Sequence, residues 1–212
     1  MVQTGSMQDA VDDLVTLLDL EAIEVNIFRG VSPDESRQRI FGGQVAGQAL
    51  VAAARTVDAD RPVHSLHAYF LRPGDPSVPV LYEVDRIRDG RSFTTRRVVA
   101  IQHGRPIFNL AASFHIVEEG LEHLEPMPPV TPADDLPTRA ERFAAAGIDD
   151  PNPGHPQPLD FRYVSPDPMK RAEPQPPVQQ VWFRADGALP DDQVLHTCLL
   201  TYASDMTLLD TT

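Results

Sequence analysis

FGGQVAGQALVAAARTV, residues 41–57, is apolar at Val45, Ala46, Ala49, Leu50 and Ala53, a 3.6-residue period. Most of its apolar positions are alanine, and small side chains let a helix backbone come close to a neighbouring sheet. The spacing predicts a buried central helix over 43–57. The same stretch holds Gly42, Gly43 and Gly47, but a dinucleotide fingerprint G-x-G-x-x-G would need glycine at Gln44, so that reading is rejected. Two readings stay open for Gly42 and Gly43. They permit close helix–sheet packing, or they free backbone N–H groups at a helix N-terminus to bind an anion or a polarised substrate carbonyl.

C-terminal to this helix the period changes to two. His64, Leu66, Ala68 and Phe70 alternate with Ser65, His67 and Tyr69; Val80, Tyr82 and Val84 alternate with Glu83 and Asp85 up to Asp89-Gly90, a hairpin signal. Strands are expected over 63–71, 78–88, 93–102 and 107–117, the last with Phe108, Leu110, Ala112, Phe114 and Ile116 on one face. N-terminal to the helix, 22–31 (AIEVNIFRGV) reads as one strand. Before it, Val11, Leu14, Val15 and Leu18 mark a short helix behind a polar leader at 1–6. A meander with one apolar face must be covered, and the alanine-rich helix is the available cover, which makes the class α+β.

Fourteen of the 21 prolines fall between Pro126 and Pro177, so 118–177 reads as an extended, irregular connection, apart from a short helix over 138–146. Strand-like 179–185 (QQVWFRA) and a helix over 190–209 then repeat the earlier strand–helix order. The expected organisation is a leader and short helix at 1–20, a first unit at 21–117, the connection at 118–177, and the start of a second unit at 178–212. A strand and helix without a sheet cannot bury their apolar faces, so further strands are expected beyond Thr212.

A formal net charge of −13 argues against a general nucleic-acid surface. The single cysteine, Cys198, excludes an intrachain disulfide framework, and no run of eighteen apolar residues suggests membrane insertion. With no signal-like N-terminus, a cytoplasmic location is expected. His64 and His67, three apart on a strand, face opposite ways and are unsuited to share a metal. No G-x-S-x-G elbow occurs. Arg86, Arg88, Arg91, Arg96 and Arg97 surround the Asp89-Gly90 turn; they read as a solvated hairpin face before they read as a phosphate grip.

Asp205 is the most informative residue. On a helix over 190–209 it falls within one apolar arc with Val194, Leu195, Cys198, Leu199, Tyr202, Met206, Leu208 and Leu209. A carboxylate there either serves as a partly dehydrated base or merely caps a neighbouring element or meets an arginine, and periodicity leaves both open.

The blocks FGGQVAGQAL, VHSLHAYFLRPGDPSVPVLYEVDRIRDGRSFTTRRVVAIQHGRPIFNLAASF, QQVWFRADGALPDD and LLTYASDM resemble the type II acyl-CoA thioesterases, the TesB-like family, over most of the chain from about Phe28. The resemblance implies a double hot-dog fold in which each long helix is wrapped by an antiparallel sheet, with the second hot dog incomplete in this chain. It implies hydrolysis of acyl-CoA in fatty acid metabolism, no cofactor, and a homo-oligomer, a tetramer. Asp205 matches the aspartate of an Asp, Thr and Gln set that activates a water. The Thr and Gln belong to later strands, and Thr211 and Thr212 do not match the family's threonine. An enoyl-CoA hydratase would carry histidine five residues after the aspartate, where this chain has Asp210. A non-catalytic acyl-CoA binding or sensing protein is the alternative from a different class.

Overall fold

A computed structural model of the chain describes residues 5–33, 38–151, 155–167, 169, 174 and 176–207. The chain forms two compact units, one of Val15–Gly120 with Pro190–Met206 and one of Met1–Leu14, Leu121–Leu189 and Thr207–Thr212. Helix α1 (Met7–Leu18) runs across the boundary between them. No helix among the described residues is long and apolar enough to cross a membrane.

The larger unit is an antiparallel sheet around one helix. Its strands are β1 (Glu21–Glu24), β2 (Ile27–Gly30), β3 (Val63–Phe70), β4 (Val80–Asp89), β5 (Phe93–Gln102) and β6 (Arg105–His115), in the order β1-β2-β4-β5-β6-β3. The stretch 22–31, expected as one strand, is a hairpin. Asn26, in the left-handed region at φ 61°, turns the chain so that β1 pairs with β2. Asparagine tolerates that conformation better than most residues, which is why the turn sits there. The β5–β6 turn uses His103 (φ 48°) and Gly104 (φ 69°), two left-handed residues whose twist matches a tight hairpin.

The period-two register sends Val80, Tyr82 and Val84 of β4, Val98 and Ala100 of β5, and Phe108, Leu110, Ala112 and Phe114 of β6 into the core. Helix α2 (Gly42–Ala54) fills it, and every residue from Gly43 to Ala53 is buried. Its alanines let the sheet wrap it closely, as the sequence pattern predicts. Two glutamines on α2 are buried with their amides satisfied. Gln48 donates to the Leu17 carbonyl at 2.6 Å and accepts from the Tyr82 hydroxyl at 2.7 Å, while Gln44 donates to Ser32 Oγ at 3.1 Å. They hold the chain leaving β2 against the helix.

Arg96 does not lie on a solvated hairpin face. It follows the inward register of Thr94, Val98 and Ala100 and is 1% exposed. Its guanidinium donates to Thr56 Oγ1 (2.8 Å) and the Thr56 carbonyl (2.9 Å) just past the C-terminus of α2, to the Arg88 carbonyl (3.1 Å) and to Asp89 (2.5 Å). A buried guanidinium is tolerable only when its donors are used in this way. Of its neighbours, Arg86 donates to Asn26 and Arg97 pairs with Asp85.

The smaller unit pairs β7 (Leu159–Tyr163) with β8 (Val181–Ala185), Phe161 stacking on Phe183 across the ladder. Strand β7 lies inside the stretch expected to be irregular. Its five residues stand between Pro158 and Pro166, and its partner comes much later in the chain, so no local pattern announces it. Helix α3 (Arg139–Ala146) forms where expected, between a Thr138/Glu141 capping box and Gly147 in the left-handed conformation. Arg142 fixes it by pairing with Asp167 at 2.9 Å and lying 4.0 Å over the Tyr163 ring.

Candidate active site

The site lies in the larger unit, where two helices meet. Helix α4 (Gln193–Ala203) is capped by Asp192, whose carboxylate accepts from the Val194 and Leu195 N–H groups. It is shorter than the expected 190–209. After Ala203 the chain continues as a turn, with the Ser204 hydroxyl donating to the Thr201 carbonyl at 2.7 Å and the Met206 N–H to the Ala203 carbonyl at 3.0 Å. Serine hydroxyls that take over backbone acceptors in this way compete with helix continuation. Asp205 therefore stands on the turn beyond the helix and is exposed, not inside a buried apolar arc; Val194 and Met206 of that arc are also exposed. Leu208, Leu209, Asp210, Thr211 and Thr212 lie outside the described residues.

Helices α2 and α4 run side by side, α2's N-terminus beside α4's C-terminus. Gly43 and Gly47 make the approach possible. A β-carbon on Gly43 would stand 2.2 Å from the Tyr202 carbonyl oxygen, and one on Gly47 would stand 3.3 Å from that of Cys198. Of the two glycines expected to allow close packing on the sheet, Gly43 packs instead against this second helix, while Gly42 faces Phe70 of β3. The Tyr202 ring meets Phe41 edge-on at 5.1 Å.

That approach brings the three singled-out residues, Gly42, Gly43 and Asp205, together. A β-carbon on Gly42 would stand 2.5 Å from Asp205 Oδ2 and 2.8 Å from Phe70 Cε1 on β3. Asp205 is exposed as a residue, yet its carboxyl lies in the niche between the start of α2 and the Phe70 ring. Dehydration there raises its pKa above the ordinary aspartate value, and a hydrogen bond from the Gly43 N–H pulls the other way without cancelling it. The first turn of α2 has no acidic residue and Phe41 makes no side-chain cap, so Asp205 supplies the negative charge that a helix N-terminus favours.

Phe70 is the site residue that alternation alone did not single out. It is 57% exposed on edge strand β3, with its ring 5.0 Å from that of Phe108. An exposed aromatic on a strand placed by period two was its only signal. The other reactive side chains do not converge here. Cys198 is buried and its thiol is pushed up to about 12 by dehydration, which removes it as a nucleophile. His64 meets Ser113 at 2.9 Å, whereas His67 packs on Tyr69. Among the described residues no three His, Cys, Asp or Glu side chains are grouped to hold a metal.

A hot-dog sheet around a glycine- and alanine-rich helix agrees with what known proteins show. The family model described as the acyl-CoA thioesterase N-terminal domain matches residues 32–115, and the acyl-CoA thioesterase model matches residues 157–212. The chain belongs to the acyl-CoA thioesterase family, of the type II, TesB-like kind. Acyl-coenzyme A thioesterase 8 of Homo sapiens is 39% identical over 212 residues, covering 93% of this chain and 66% of that protein. Acyl-CoA thioesterase 2 of Haemophilus influenzae is 37% identical, covering 94% and 71%. The crystal structure of the acyl-CoA thioesterase II TesB2 from Mycobacterium marinum superposes with a TM-score of 0.72 at 45% identity, covering 95% of this chain and 69% of that one. A hot-dog protein of Alicyclobacillus acidocaldarius, 23% identical with a TM-score of 0.68, shares the fold. The chain thus spans about two thirds of the length of the relatives it matches.

Proposed function

We propose that the protein hydrolyses acyl-CoA to the free acid and CoA, with Asp205 as general base. The placement of the Asp205 carboxylate, partly dehydrated between the α2 N-terminus and Phe70, carries this reading. A carboxylate that prefers its proton is a better base than one in water. Water, giving its proton to Asp205, attacks the thioester carbonyl carbon. The tetrahedral oxyanion collapses, the C–S bond breaks, and the CoA thiolate leaves and takes up the proton. Gly42 and Gly43 bind substrate in this scheme through their place at the N-terminus of α2, beside the Asp205 carboxylate. The positive end of α2 then favours the charge developing on the carbonyl oxygen. The chemistry needs no cofactor and no metal. Family membership further supports a second hot dog opening at 178–212, a role in fatty acid metabolism, and assembly as a homo-oligomer.

The test is thiol release from a panel of acyl-CoA esters by wild type and Asp205→Asn. Asparagine keeps the shape and removes the base, so acyl-CoA should still bind while turnover falls about 100-fold or more. Near-normal turnover in the folded variant would remove Asp205 from the mechanism. Wild-type protein that binds acyl-CoA without releasing thiol would leave a binding or sensing protein as the function.

A further inference from the structure

We propose that Gly42 is a positioning residue for the reaction: its lack of a side chain lets the Asp205 carboxylate sit on the first turn of α2, within reach of the Gly43 N–H. This rests on the reading of Asp205 as the base. The space a β-carbon would need at Gly42 is already taken on two sides, by Asp205 Oδ2 at 2.5 Å and by Phe70 Cε1 and Cζ at 2.8 and 2.9 Å. All three are the far ends of side chains that rotate. Adding a methyl group at 42 would therefore displace the carboxylate and the ring and leave the backbone in place.

Gly43 differs in kind. Its missing side chain makes room for the Tyr202 carbonyl oxygen, a backbone atom, at 2.2 Å from where a β-carbon would stand. The adjacent glycines thus divide the work: Gly43 lets the two helices touch and its N–H reaches the carboxylate, while Gly42 keeps the carboxylate's place open. Among the described residues the shift of Asp205 has two causes, dehydration and the Gly43 N–H, and the first turn of α2 holds no acid to compete for that donor. A base anchored by a backbone N–H is sensitive to a small steric push.

The experiment compares wild type, Gly42→Ala, Asp205→Asn and the double variant in acyl-CoA hydrolysis, with melting temperatures on the same samples. Gly42→Ala should melt near wild type and lose about 10-fold or more in kcat with KM little changed, since a displaced catalytic group costs rate even without lost binding. In the Asp205→Asn background the same change should cost no further activity. Equal loss in both backgrounds would overturn the positioning role and make Gly42 a packing or substrate-contact residue. A readout independent of turnover is NMR titration of Asp-labelled wild-type protein. The Gly43 amide shift should follow the Asp205 carboxyl titration, and in Gly42→Ala the coupling should vanish while the Asp205 midpoint moves further up. A Gly43 amide blind to that titration in wild type would overturn the inference without any variant. Full activity in Asp205→Asn would instead sink the base assignment, and with it the catalytic meaning of Gly42.

Discussion

Asp205 sits under two opposed influences, and their balance has consequences for pH. Dehydration beside Phe70 outweighs the Gly43 N–H, so the carboxyl holds its proton to a higher pH than an ordinary aspartate. The acid limb of kcat/KM should therefore lie above the usual aspartate range, and Phe70→Ala, which readmits water, should move that limb to lower pH. A limb that stays put in Phe70→Ala would mean the ring does not set the dehydration. The same shift acts on stability. With the folded pKa above the unfolded one, the folded state binds the proton more tightly. Stability from this group is full below the unfolded pKa and is lost as pH rises through the folded one. Asp205→Asn should accordingly melt no lower than wild type at neutral pH. Asp205 could be singled out in the sequence, but its environment could not. The turn that ends α4 at Ala203, and the meeting with Gly42, depend on contacts far apart in the chain. Arg96 was misread for the opposite reason: its inward register was visible in the alternation with Val98 and Ala100, but its charge argued for the outside.

Among the elements, the contact of α2 with α4 separates two glycines that look alike in sequence. Gly47→Ala adds a methyl group 2.9 Å from Leu18 Cδ2, which can shift, and 3.3 Å from a carbonyl oxygen. It also gains up to about 1 kcal/mol of helix propensity, so its stability should stay near wild type. Gly43→Ala meets the Tyr202 carbonyl at 2.2 Å and should cost roughly 1–3 kcal/mol from overpacking. Denaturant midpoints measure both, and equal midpoints would show that α4 yields at Tyr202. The sheet strands β4, β5 and β6 were visible because each buries alternate residues against one helix, whereas β3, equally regular in sequence, buries none. The β1–β2 hairpin carried a signal, Asn26, inside an otherwise continuous apolar run, while β7 carried none, since it is stabilised by a partner its own neighbours do not predict.

At the scale of the whole molecule, β3 ends the sheet with Leu66, Tyr69, Phe70 and Leu71 all at least 40% exposed. Among the described residues β3 pairs on one side only, with β6, and an edge strand with exposed apolar side chains invites pairing with another chain or segment. Assembly into an oligomer, a tetramer by family resemblance, should appear as a mass well above that of one chain in light scattering; a monodisperse monomer would contradict it. Inside the unit, α2 has no acid in its first turn, no base in its last, and no side-chain cap from Phe41. Its two ends are completed from elsewhere, by Asp205 at the start and by Arg96 just past the end. The most central element of the fold is therefore the least self-sufficient. An isolated peptide of this sequence would lack both partners, so its helix should be less stable alone than inside the sheet.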